Sequence, residues 1–334
     1  MKKKKKIAII MGGDTEESVI SLKSGKEVYN NLNKEEFDPY QIHIFRDKWV
    51  LIDNKTNHEY FVNKHDFTVC LSENQILKFD CVFNVIHGTP GEDGILQAYF
   101  HLLKIPYTGC HFHHASITFN KKYCLSLLRE FGINTAVSFF LNKNQSFCEK
   151  KIFNKVGLPC FVKPNRSGSS LGISKVYEKE KFFYAVEKAF KIDNEIIIES
   201  YLKGTEISVG VISFNNKIKV LPITEIISKN DFFDFESKYS GESQEITPAR
   251  LFPKVEKEIQ ILSKKIYQIL NLSGISRSEY ILVNGVPFFL EINTVPGLSE
   301  ESIFPKQLKI AGISLSDFFK NVIYSSIGWK KIEK

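Results

Sequence analysis

A chain of 334 residues that is 43% hydrophobic and 25% charged is long enough for two or three domains with cores of their own, which excludes a fibrous or disordered protein. Of its formal +7 charge, five units come from the run Lys2 to Lys6, so the remainder carries 7 − 5 = +2 and nucleic-acid binding is not indicated. No apolar run approaches the length of a membrane span, and the six cysteines, at 70, 81, 110, 124, 148 and 160, form no CxxC pair and read as reduced core thiols.

The lysine run reads as a solvated tail. Only a strand-length apolar stretch follows it, without the cleavage site of a signal peptide, so the chain is expected to stay in the cytoplasm. Residues 6–11 predict a short buried strand, Gly12-Gly13 a turn, and Val19, Ile20, Leu22 and Val28 a helix that opens an α/β layer. Residues 47–75 are polar and irregular, with short strands expected at 49–52 and 59–62, and read as peripheral. An apolar strand over 79–86 runs into His87-Gly88-Thr89-Pro90-Gly91-Glu92-Asp93-Gly94, after which Leu96, Tyr99, Phe100 and Leu103 recur with helical spacing. Open α/β sheets hold ligands at the C-terminal ends of their strands, so residues 12–17 and 87–94 are expected to meet at one crevice.

A second unit begins near Cys110. Lys121 enters a helix carried by Cys124, Leu125, Leu128 and Phe131 and stopped by Gly132. A lysine there opposes the helix dipole and becomes useful where an anion occupies that end, although it reads equally as a surface lysine. Lys163 closes an apolar strand and precedes Asn165-Arg166-Ser167-Gly168-Ser169-Ser170-Leu171-Gly172. Those small residues suit a loop folded over phosphates; Ser170 is a candidate contact, no Walker A lysine ends the loop, and composition alone equally describes a connector. The next apolar strand, residues 196–202, can offer backbone groups to an adenine edge. Glu199, Ser200 and Leu202 along it and Glu206 in the segment that follows are the nucleotide candidates, while either glutamate also reads as an ordinary surface residue. Residues 229–250 combine aromatics with acids and predict a lid that closes over bound nucleotide; the alternative is a short strand packed on the core.

Two polar pairs then recur at strand spacing: Arg277 with Glu279, and Glu291 with Asn293. Residues i and i+2 share a face, so each pair aims at one point, as a hard cation such as Mg²⁺ requires; a solvated edge strand is the bland alternative. Asn284-Gly285 marks the hairpin between them. A two-residue turn pairs residues whose numbers sum to 569 and sends Glu279 and Glu291 to opposite faces. The expectation is therefore a three-residue loop, 283–285, with Gly285 left-handed in a G1-type bulge.

In this order, Gly12-Gly13 with Glu17 and Ser21, the segment from His87, Lys163-Pro164 with Gly168-Ser169-Ser170, Glu236-Ser237-Lys238-Tyr239, and Glu291-Ile292-Asn293-Thr294-Val295-Pro296-Gly297 resemble the ATP-grasp superfamily and, within it, the D-alanine-D-alanine ligases. The resemblance covers nearly the whole chain. It implies an ATP-grasp α/β fold: an N-terminal open parallel α/β domain (1–109), a central lobe (110–198) and a C-terminal lobe (199–334) enclosing ATP. It also implies an ATP-dependent ligation through an acyl phosphate, for peptidoglycan precursors, and a homodimer.

Carried over residue by residue, Lys121 and Lys163 would hold ATP phosphates and Lys238 the γ-phosphate. Glu279, Glu291 and Asn293 would bind two Mg²⁺, with Mn²⁺ as a substitute, and Arg277 with the Gly297 N–H would form an oxyanion site. Glu17 would meet the first D-alanine's ammonium, linked to Ser169 and Tyr239 across three domains; His87 would lie near that substrate, and Ser302 would bind the second's carboxylate. Tyr239 favours an amine acceptor over D-lactate, and D-serine is the other alternative acceptor. An aspartate is commoner in the family where Glu279 stands, and an acid where Ser167 stands. A nucleotide-binding protein without turnover is disfavoured, because binding alone needs no oxyanion site.

Overall fold

The computed structural model describes residues 3–228 and 243–329. The chain starts with β1 (Lys5–Gly12), α1 (Ser18–Asn31), β2 (Phe37–Ile44), β3 (Trp49–Ile52), β4 (Glu59–Asn63), β5 (Thr68–Ser72), β6 (Gln75–Leu77), β7 (Cys81–Asn84) and α2 (Ile95–Leu102). The seven strands form one sheet in the order β6-β5-β4-β3-β2-β1-β7. β1 is parallel to both β2 and β7, whereas β3 to β6 add antiparallel neighbours. Only the β2-β1-β7 end is therefore the open parallel sheet expected. The stretch expected to be peripheral widens the sheet by four strands, because its short turns can join only antiparallel neighbours.

β1 packs on both faces, with Ile7, Ile9 and Met11 against one layer and Ala8 and Ile10 against another, which is why it reads as an unbroken apolar run. Lys5 and Lys6 already belong to this strand, and Lys5 pairs with Asp80 at 3.3 Å, so the solvated tail is shorter than expected. Four cysteines are buried, while Cys70 and Cys148 are exposed rather than core thiols.

The middle of the chain comprises α3 (Phe112–Phe119), α4 (Lys121–Glu130), β8 (Ser138–Asn142), α5 (Glu149–Val156), β9 (Cys160–Pro164), β10 (Ser174–Val176), α6 (Phe182–Phe190) and β11 (Glu195–Ser200). Its sheet runs β10-β9-β11-β8, entirely antiparallel. Four residues, 201–204, lead to β12 (Thr205–Phe214), β13 (Lys217–Val220), β14 (Thr224–Ser228), β15 (Ser243–Ile246), α7 (Pro253–Ile269), β16 (Ile275–Val283) and β17 (Val286–Asn293). These strands run β15-β14-β12-β16-β17, with β13 also on β12. α8 (Ile303–Ile310) and α9 (Leu315–Trp329) follow.

Packing does not follow chain order. Phe304 of α8 and Phe318 and Phe319 of α9 join the core under β1 and β7, and Leu125 and Leu128 of α4 join the core of the third sheet with Tyr280 and Phe289. Among the described residues, no helix is long and apolar enough to cross a membrane.

The β16–β17 hairpin corrects one expectation. Its turn has two residues, Asn284 at φ +51° and Gly285 at φ +80°, closing the pair Val283–Val286. Two consecutive left-handed residues match the strand twist, so Asn-Gly needs no third residue. Pairing then holds to Tyr280–Phe289, where Leu290 is left over as a bulge. Beyond it Glu279 faces Glu291 and Arg277 faces Asn293. The shared face predicted for the two glutamates exists, but the extra residue sits within β17 and not at the turn.

Candidate active site

A cavity of about 500 Å³ lies between the second and third sheets. Lys163 and Ser170 line one side, Glu279 and Glu291 another, and Glu199, Ser200, Leu202 and Glu206 the segment that links the sheets, from the end of β11 to the start of β12. All eight were sequence candidates. Ser200 offers little through its hydroxyl, which already accepts from the Val137 N–H at 3.1 Å.

Charge in this cavity is paired. Lys163 Nζ donates to Glu199 Oε2 at 2.8 Å, with both side chains largely buried. Burial works against that ammonium, but the charge and hydrogen bond of Glu199, with Glu291 and Glu206 behind, hold its pKa above the ordinary value. Arg277 donates to Glu279 at 2.8 Å and is likewise held up against burial. Lys121 Nζ lies 3.0 Å from Glu291 Oε2 and donates to the Ser167 carbonyl at 2.7 Å. The start of α4 is closed by Asn120, which caps Tyr123, and by Asn165, which accepts from the Lys121 and Lys122 amides. The anion beside Lys121 is thus a carboxylate met by the side chain.

Metal-binding capacity can be judged from the donors. Glu279 and Glu291 face each other and Asn293 shares their face, a set of hard oxygens that suits Mg²⁺. Asn293 Oδ1 accepts from the Val295 N–H at 2.8 Å and keeps a second lone pair. Among the described residues, no three His, Cys, Asp or Glu side chains converge on one metal position, so phosphate oxygens and water would have to complete the shell. The residues fit the ion on those terms.

The substrate side forms where the first sheet meets the 165–172 loop. As expected, the two loops after β1 and β7 adjoin: the Asp14 N–H donates to the Thr89 carbonyl at 3.1 Å. Ser169 and Ser170 stand at positive φ, and Ser169 Oγ donates to Glu17 Oε1. Gly168 permits this approach, because a Cβ there would lie 2.7 Å from Glu17 Oε2. A smaller cavity of about 180 Å³, lined by Glu17, Gly88, Thr89, Arg166 and Ser169 among others, opens at this seam. Tyr239 and Lys238 lie outside the described residues, as does 229–242 of the expected lid. Residues 243–246 of that segment form β15, antiparallel to β14, so this part is a strand.

His87 is 4% exposed, and its Nδ1 lies 2.6 Å from the Val295 carbonyl. A carbonyl only accepts, so Nδ1 carries the proton and Nε2 a lone pair. Burial then keeps the ring neutral by lowering its pKa, against the charge of Glu17. His87 Nε2 and Arg277 Nε are buried without a partner among the described residues, as groups awaiting a ligand would be. Gly297 and Ser302 are neighbours: a Cβ on Gly297 would lie 2.7 Å from Ser302 Oγ, which is 2.8 Å from Ser299 Oγ.

Two features were not singled out from sequence. Glu92, 6% exposed, accepts from the Gly88 N–H at 3.1 Å, and burial, then the charge of Glu17, pushes its pKa up to about 8. Its signal was an acid four residues past a loop glycine. Arg250 grips Glu225 through two hydrogen bonds of 2.9 and 2.8 Å on the wall of the larger cavity, a pairing that chain spacing does not reveal.

A cavity clasped between two sheets, with a basic strand and a Ser/Gly loop on one side and hairpin carboxylates on the other, is the arrangement of an ATP-grasp protein. Family models described as the N-terminus and C-terminus of D-ala D-ala ligase match residues 6–110 and 127–324. The chain belongs to the D-alanine-D-alanine ligase family. It is 52% identical to the D-alanine--D-alanine ligase of Flavobacterium johnsoniae over 97% of this chain and 99% of that one. Among solved structures, a D-Ala:D-Ser ligase from Enterococcus faecalis superposes with a TM-score of 0.85 at 33% identity, covering 96% of this chain and 99% of that one. A D-alanine--D-alanine ligase from Bacillus anthracis complexed with ATP gives 0.80 at 29% identity, covering 99% and 100%.

Proposed function

We infer that this chain uses ATP to join two D-alanine molecules, and that the face of the β16–β17 hairpin carries the chemistry. One observation supports this most: the bulge at Leu290 brings Arg277, Glu279, Glu291 and Asn293 onto one face beside Lys121 and Lys163. A carboxylate is a poor electrophile; transfer of the γ-phosphoryl group converts one of its oxygens into a leaving group. Two Mg²⁺, or Mn²⁺, held by Glu279, Glu291 and Asn293 would neutralise charge on the phosphates.

The remaining roles belong to side chains and backbone. Lys163, Lys121 and Ser170 bind phosphates, and Glu199, Ser200, Leu202 and Glu206 meet adenine and ribose. Glu17, tied to Ser169, takes the ammonium of the first D-alanine, with the His87 Nε2 lone pair alongside. The second amine attacks the acyl phosphate, Arg277 and the Gly297 N–H receive the developing oxyanion, and phosphate leaves. Ser302 holds the second carboxylate. Lys238 and Tyr239 take the γ-phosphate and the Glu17–Ser169 link by family resemblance alone.

The proposal includes the three-domain division at 109 and 198, a homodimer, a cytoplasmic location and a role in peptidoglycan precursor synthesis. D-Alanine is preferred as acceptor over D-serine or D-lactate because the 52% identical relative bears the D-alanine name. Phosphate release assayed with D-alanine, L-alanine, D-serine and D-lactate tests the reading. Turnover is expected with D-alanine alone and best; faster release with D-alanine plus D-serine would transfer the assignment to that acceptor.

A further inference from the structure

Outside the cavity, His101, His111, His113 and His114 gather where α2 meets α3. The rings of His101 and His111 lie 4.7 Å apart, those of His111 and His113 4.3 Å, and those of His113 and His114 4.1 Å. None of these imidazoles takes part in the ligation chemistry. The cluster falls in residues 111–126, between the two family-model matches, apart from His101.

The backbone explains how His111 and His113 come to face each other. Residues two apart on a regular helix point in different directions. His111, however, is the N-cap of α3, with extended φ −62° and ψ +152°, so its side chain turns back over the first helical turn towards His113. Their Nδ1 atoms stand 2.9 Å apart.

That separation matches the bite of a metal. Two nitrogens bound at about 2.05 Å and at right angles lie about 2.9 Å apart, whereas a tetrahedral angle would open them to about 3.3 Å. The geometry points to a two-imidazole site for a divalent transition metal of tetragonal or octahedral preference, Ni²⁺ or Cu²⁺, on His111 Nδ1 and His113 Nδ1. His113 is exposed, so water can fill the remaining positions, and a third side chain is not required. His114 Nδ1 is enclosed without a partner among the described residues and is not available to an ion at the surface. The positive end of the α3 dipole opposes a cation there, so binding rests on the imidazole pair.

The site differs in kind from the carboxylate face of the hairpin: nitrogen ligands select later transition metals, oxygen ligands select Mg²⁺. A metal here would fix the start of α3, whose Phe112 carbonyl rests so closely on Gly94 that a Cβ would lie 2.4 Å from it. The competing account of the 2.9 Å contact is a hydrogen bond between neutral rings.

The test is calorimetric titration of NiCl₂ into the full chain in excess Mg²⁺, which keeps the oxygen ligands occupied. One saturable Ni²⁺ site is expected, weakened about tenfold or more by His111→Asn or His113→Asn and lost in the double variant, while His65→Asn leaves it unchanged. Cu²⁺ bound to the wild-type chain should show coupling to two nitrogens by electron paramagnetic resonance. Circular dichroism confirms that the variants fold; should His111→Asn not fold, the exposed His113→Asn carries the test alone. No saturable Ni²⁺ binding, or binding unaltered in the variants, overturns the proposal.

Discussion

The two halves of the site handle charge in opposite ways. Around the hairpin, three carboxylates meet cations: Glu291 with Lys121, Glu199 with Lys163, Glu279 with Arg277. Around the loops after β1 and β7, burial instead works against charge on two groups beside Glu17, with His87 held neutral and Glu92 pushed up to about 8. Fixed ion pairs suit a polyanion such as a triphosphate, whose arrival exchanges partners without creating bare charge. A pocket stripped of mobile charge suits a small zwitterion, whose ammonium and carboxylate each then find one fixed partner.

The contrast can be broken at its strongest point by Asn293→Ala. Loss of one oxygen from the hairpin face should reduce phosphate release on the order of 10³-fold, corresponding to several kcal/mol of transition-state stabilisation. A steady-state assay with ATP and D-alanine checks this, and unchanged activity would place the metal elsewhere. Next in size is Glu199→Ala, which leaves the buried Lys163 ammonium without its partner at 2.8 Å. Urea denaturation should show a loss of about 3 kcal/mol. If the ion pairs are not a coupled set, the loss will stay below about 1 kcal/mol, the value of an exposed pair.

Glu92→Gln sharpens the other side, and its effect is read as a pH dependence and not as a loss at one pH. The folded carboxyl keeps its proton up to about pH 8, whereas the unfolded one releases it near its ordinary value of 4.5. Between those limits the folded state binds more protons, so stability falls as pH rises, by at most about 1.4 kcal/mol per unit, and levels off above pH 8. The glutamine variant should lose that slope, as melting curves from pH 5 to 8.5 would show. An identical pH profile in both proteins would mean that Glu92 ionises normally.

Sequence made the chemistry of the hairpin legible because i, i+2 spacing reports a shared face directly. It could not locate the bulge: Asn284-Gly285 supports a two-residue turn, and nothing in Leu290 marks it as the unpaired residue. Lys121, Lys163 and the Ser169-Ser170 turn were visible as types suited to phosphate. The partners of the two lysines were not, since Ser167 and Glu199 lie 46 and 36 residues away along the chain, and the Glu17–Ser169 link, spanning 152 residues, came from the family resemblance and not from spacing. β3 and β4 fall where short strands were expected, but β5 and β6 were missed and the whole stretch was read as peripheral, because half-buried antiparallel strands carry polar residues on their outer face. Glu92 was read past as part of a loop motif, because a buried acid and a solvated one look alike in sequence.

The docking of α8 and α9 beneath β1 and β7 has a further consequence for how the molecule is made. α1 covers Ile7, Ile9 and Met11 through Leu22, Gly25 and Val28 soon after β1 is made, yet Phe304, Phe318 and Phe319, which complete the same core beside Phe83 of β7, follow only in α8 and α9. Until then the part of that face around Cys81 and Phe83 remains an apolar surface exposed to water, of the kind that chaperones bind. A truncation before residue 303 would leave that part of the core permanently uncovered although α1 is in place.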